Sequence, residues 1–230
     1  MRRTFHVWQD EAQGAHWSYY QCTIEGCNSI IEESIQCISD DNTHDNHAVQ
    51  HYVSIAVKHL LEKGISIEKL IQVSDGAPTQ YRYKGKMNFA DLSYSYEDFG
   101  FQSEKHYFGS RHGKLPCDRE IGTVKKSVVM AIKSRRAEVS NAKTFHEYCR
   151  RELNKPKEPS DHVHFKRTCI YIPYGEINRN RADRQSLKAV KQTRMYHSFR
   201  CIQQNVIAHR ERSCFASHAL HLKEYVKMRR

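Results

Sequence analysis

The residues best suited to chemistry in this 230-residue chain are two aspartates, each placed where an apolar run ends. In IEKLIQVSDGAPTQYR, Leu70, Ile71 and Val73 form a short apolar run that predicts a buried strand, broken at Ser74-Asp75-Gly76. Asp75 is therefore expected at the C-terminal edge of a strand. In KHYFGSRHGKLPCDREIGTVKK, Tyr107 and Phe108 end a second strand and His112-Gly113-Lys114 turns the chain. Pro116 then opens a helix on which Asp118, Gly122 and Lys125 share a face. Two hard carboxylates brought together in this way suit a pair of Mg²⁺ or Mn²⁺ ions about 4 Å apart, the arrangement that polarises attacking and leaving oxygens in phosphoryl transfer. The same residues also suit plain structural work, since Asp-Gly is a common turn dipeptide and an aspartate near a helix start is a common cap.

The elements that must position these acids follow from the apolar pattern. Residues 17–39 read as two strands, an aromatic and β-branched run up to Ile31 and a second run, SIQCIS, after Glu32-Glu33. From Asp45 the positions Val49, Val53, Ala56, Val57, Leu60 and Leu61 follow helical spacing, stopped at Gly64. A strand at 67–73, another at 104–109, and helices at about 117–136 and 144–153 complete an α/β order with a mixed sheet. Asn154-Lys155-Pro156 marks a boundary, giving a core over 1–155 and a basic, irregular extension over 156–230 in which 165–177 is an edge strand.

Charge divides the chain more sharply than hydropathy does. Residues 1–100 carry 8 Lys and Arg against 14 Asp and Glu, whereas residues 101–230 carry 29 against 12. The strongly basic back half points to a polyanion, most simply nucleic acid. None of the eight cysteines forms a CxxC pair, and MRRTFHVWQDE lacks the apolar segment of a secretory leader. No apolar stretch approaches a membrane span, so an intracellular protein with reduced thiols is expected.

Taken together, QDEAQGAHW (9–17), SDGAPTQYR (74–82), NFADL (88–92), and HGKLPCD with GTVKK (112–126) resemble the core of DDE-type transposases of eukaryotic, transposon-derived kind. The likeness runs from about Gln9 to Cys214 and implies a ribonuclease H-like fold, metal-dependent polynucleotidyl transfer with Mg²⁺ or Mn²⁺, DNA as partner and a nuclear location. It places the second and third catalytic, metal-binding acids on Asp75 and Asp118. The first acid of that family comes in a segment ahead of the QDE string, and Met1 to Trp8 hold no carboxylate. The expectation is a core incomplete at its N-terminus and lacking the first catalytic strand, with Asp10 and Glu11 past a strand's end and Asp40 and Asp41 at the end of the third. Asp10, Asp40 or Asp41 would substitute only in the alternative of an active enzyme. The chain is thus expected to bind DNA without strand transfer. The alternatives are an active two-metal enzyme with a substitute or upstream acid, and a scaffold that binds protein through its acidic front.

DNA contact is expected from Arg111 and Lys114 in the loop before the last core helix and from Lys125, Lys126, Lys133, Arg135 and Arg136 on or just after it. Tyr81 and Tyr83, interleaved with Arg82, Lys84 and Lys86, suit stacking on unpaired bases or packing of a loop. Cys201, Cys214, His218 and His221 do not match the spacing of a standard zinc finger, so zinc is not expected.

Overall fold

The computed structural model describes residues 4–11, 17–26, 29–43, 45–74, 86–107, 116–154, 165–185, 190, 193–211 and 224–227. Side chains within 4–32, 116–119 and 224–227, and those of residues 86, 165, 166, 185 and 194, lie outside the description. The chain folds as two compact units, each assembled from separate stretches of sequence.

One unit comprises Val7–Thr43 and Lys114–Glu176. Strands β2 (Trp17–Gly26) and β3 (Ser29–Ser39) form an antiparallel hairpin in register from Trp17↔Ile38 to Gly26↔Ser29. The polar pair Glu32-Glu33 therefore lies within β3 and does not, as the sequence suggested, separate two strands. Glu33 is tolerated inside a strand because Thr168 Oγ1 donates to its carboxylate at 2.6 Å. Strand β6 (Phe165–Ile172) pairs in parallel with β3, from Glu32↔Phe165 to Ser39↔Ile172, and is the edge strand expected there.

Two helices of this unit cover β3. The first is α4 (Pro116–Lys133), begun by a proline whose missing N–H costs nothing at that position. Val124, Val128 and Ala131 repeat at helical spacing and bury one stripe of it. Helix α5 (Ala142–Glu152) opens with a capping box between Asn141 and Thr144 and buries Ala142, Phe145, Tyr148 and Cys149. These residues and Ile38 make a single core, and the Tyr148 hydroxyl sits 3.0 Å from Ser127 Oγ, fixing α5 against α4.

The other unit comprises Met1–His6, His44–Gly113 and Ile177–Arg230. Helix α1 (Asn46–Glu62) starts where Asp45 Oδ1 accepts from the Ala48 N–H at 2.9 Å and stops before Gly64, whose φ of +76° suits glycine. Strands β4 (Lys69–Ser74) and β5 (Gln102–Tyr107) pair in parallel, joined through the short helices α2 (Lys86–Ser93) and α3 (Ser95–Phe99). Strands β7 (Ser198–Gln203), β8 (Val206–Arg210) and β9 (Glu224–Lys227) continue from β5 as antiparallel neighbours. Phe89, Ala90 and Leu92 of α2 pack on Tyr107, Phe199, Cys201 and Ile207 to form the core.

Two expectations need correction. Strand β1 spans Thr4–Glu11, so an N-terminal strand is present and includes Asp10 and Glu11, which the sequence placed beyond a strand's end. The region past residue 156 is also not irregular throughout, since β7 and β8 are paired strands. Their buried apolar residues, Phe199, Cys201, Ile207 and Ala208, stand among Arg200, Gln203, His209 and Arg210, which hides a period of two within a cationic segment.

Candidate nucleic-acid interface

The cations expected to meet DNA gather at the C-terminal end of α4. Val124, Val128 and Ala131 face the core, which leaves Lys126 and Lys133 exposed and Lys125 half-buried. The helix ends in a Schellman stop: the Arg135 N–H donates to Ile132 O at 3.0 Å and the Arg136 N–H to Ala131 O at 2.9 Å. This places Arg135 at a φ of +56°, a conformation that most often goes to glycine. Arg136 Nε donates to Ser134 Oγ at 2.9 Å, and Ser134 Oγ in turn donates to Met130 O at 2.8 Å. Arg135 and Arg136 are thus held outward just past the helix, where cations also complement the negative end of its dipole. Four exposed cations within eleven positions can meet a run of phosphates.

The remaining expected site residues divide as follows. Asp75, Arg111 and Lys114 lie outside the described residues, as do Tyr81, Arg82, Tyr83 and Lys84. Asp118 stands in the first turn of α4, its side chain outside the description, and the same holds for Lys86 at the start of α2. Asp40 accepts a hydrogen bond from the Tyr171 hydroxyl, and Asp41, buried, accepts from the Thr43 N–H at 2.9 Å. Both acids therefore hold the end of β3. Cys201 is buried and its thiol donates to Ser93 O at 3.7 Å, whereas Cys214, His218 and His221 lie outside the described residues. Among the described residues, no three His, Cys, Asp or Glu side chains come together to hold a metal.

What the sequence did not reveal is a buried polar framework in the unit that holds β4 and β5. Within NFADL, Asn88 donates to the Tyr107 hydroxyl at 2.7 Å and accepts from Lys105 Nζ. Asp91, only 2% exposed, pairs with Arg181 through both carboxylate oxygens and lies 3.1 Å from Arg184 Nε. Burial pushes Asp91 up to about 6 against the pull of Arg181, Lys105 and Arg184, and lowers Lys105 to about 8 despite Asp91. Arg184 also reaches Asp98 and Asp183, and lies 4.6 Å above the Tyr94 ring. A cleft of about 240 Å³ opens beside this framework, lined by His47, Gln50, His51, Ser54, Asp98 and Arg181 among others. Its arginines already have carboxylate partners, so the cleft offers no surplus charge. The one hint in sequence was an aspartate amid the apolar residues of NFADL, a position that needs a cationic partner.

No helix among the described residues is long and apolar enough to cross a membrane. With this geometry in place, the class is that of a mixed α/β protein whose parallel and antiparallel strands are flanked by helices. The chain belongs to the family described as Domain of unknown function (DUF8701), which matches residues 5–213. Comparison with curated proteins and with solved structures finds no match.

Proposed function

We propose that this chain is a transposase-derived, nucleic-acid-binding protein of ribonuclease H-like architecture that works in the nucleus and meets DNA through the end of α4. The observation that carries the reading is the exposed group Lys126, Lys133, Arg135 and Arg136, the last two projected past a Schellman stop. Contacts of this kind read phosphate and not base, so binding is largely indifferent to sequence. The strand pairings within each unit support the architecture: β2 and β3 are antiparallel neighbours in the first, and β4 and β5 are parallel neighbours in the second. Fluorescence anisotropy with a labelled duplex tests the proposal. Replacing the four cations by alanine weakens binding at low salt by roughly tenfold or more, and unchanged affinity overturns it.

A second reading, metal-dependent cutting or joining of DNA, is favoured by one observation: β1 runs through Asp10 and Glu11. Asp10 would then serve as the first acid beside Asp75 and Asp118, with Mg²⁺ or Mn²⁺ held by the three carboxylates. Nicking of duplex with Mn²⁺ that disappears in both Asp10→Ala and Asp75→Ala supports this reading. Equal background from wild type and both variants leaves binding alone.

A further inference from the structure

In the sheet of the second unit, the face turned away from α2 sets charged residues among the buried apolar residues Ile71, Val73 and Ala208. Phe199, Cys201, Ile207 and Tyr107 point to the core beneath α2. The register places Glu104 opposite Arg200, His106 opposite Ser198, and Ser198 opposite Arg210, so these residues share the other face. Lys69 joins them from β4, two residues before the partner of Glu104. Glu104 Oε1 forms ion pairs with Lys69 Nζ, 2.8 Å away, and with Arg200 Nε, and Oε2 lies 3.4 Å from His106 Nε2. One carboxylate serves two cations. In the neighbouring row, Arg210 is half-buried, and its Nε and Nη2, shielded from solvent, have no hydrogen-bond partner among the described residues. A guanidinium cannot shed its proton to escape such a position, so its charge calls for an anion.

We propose that this face is a phosphate-binding site built on Arg210 of β8, with Arg200 diagonally beside it on β7 and Lys69 farther off on β4. Lys69 and Arg200 share the one Glu104 carboxylate, so Arg210 adds a charge that a phosphate group matches. Its several oxygens can accept from the planar fork of Arg210 and from neighbouring donors at once. Lys69 and Arg200 keep 26% and 22% of their side chains exposed, so the margin of the face is reachable from solvent. The phosphate comes from a polynucleotide backbone, which rests on the function proposed above, or from a free polyphosphate, which does not.

Thermal melting and calorimetry of the whole chain with inorganic pyrophosphate, and separately with a single-stranded oligonucleotide, test the site. Pyrophosphate raises the melting temperature of the wild type, whereas Arg210→Met binds it about tenfold more weakly or worse. Without ligand, Arg210→Met melts at or above wild type, because two shielded N–H groups without partners have been removed. The variant lacking the four α4 cations still binds pyrophosphate. The site is refuted if the wild type gains no stability from pyrophosphate, if Arg210→Met binds it equally well, or if that variant unfolds without ligand. Oligonucleotide binding lost together with pyrophosphate binding in Arg210→Met assigns the phosphate to a polymer; loss of pyrophosphate binding alone assigns it to a free compound. A wild type that ignores the oligonucleotide refutes the nucleic-acid function and leaves the pyrophosphate result to decide the site.

Discussion

Asp91 shows how much one buried acid holds together. It lies on α2, is almost wholly excluded from water, and draws Arg181 and Arg184 from beyond residue 177 onto the helix. Asp91→Asn leaves two arginines facing a neutral amide, and chemical denaturation is expected to show a loss of about 3–5 kcal/mol. Glu104 makes a different prediction, one of pH. Burial alone would raise this carboxyl, but His106, Lys69 and Arg200 overcome it and hold Glu104 at about 2. A depressed acid contributes stability that is complete above its ordinary value of 4.5 and is lost as pH falls towards 2. Melting temperatures recorded across that window should fall more steeply for wild type than for Glu104→Gln. Equal slopes would mean that the ion cluster does not hold in solution.

Among the elements, those with one clear period were legible from sequence. Helix α1 was marked by its stripe and by Asp45, and β4 by Leu70, Ile71 and Val73. Helices α2 and α3 were not, because four of their buried residues are polar: Asn88, Asp91, Ser93 and Ser95. Strands β7 and β8 escaped notice because Arg200 and Arg210 stand among their buried apolar residues. Of the candidate site, the α4 cations were readable as basic residues after an apolar stripe. The helix stop that projects them was not, since arginine carries no signal for a left-handed backbone. Arg135→Gly relieves that conformation and is expected to raise stability by about 1 kcal/mol while weakening DNA binding, a split that paired melting and anisotropy measurements resolve. If the variant binds as well as wild type, Arg135 serves only the helix end.

At the scale of the whole molecule, the basic C-terminal half is part of both units and not an appendage to them. Ending the chain at residue 156 removes β6 from β3, β7 from β5, and Arg181 and Arg184 from Asp91. The truncated protein is expected to lose cooperative melting by circular dichroism, and a cooperative transition would contradict the pairing described. The family match spans residues 5–213, and the charge asymmetry of the chain gives the proposed DNA binding a physical consequence. The most direct test of that consequence is the salt dependence of duplex DNA affinity, measured for the wild type and for the variant lacking Lys126, Lys133, Arg135 and Arg136. Each phosphate contact contributes about 0.9 to the slope of log affinity against log salt, so the wild type should be steep and the variant shallower by about 3 to 4. A flat dependence in the wild type, or the same slope in both proteins, would contradict the account.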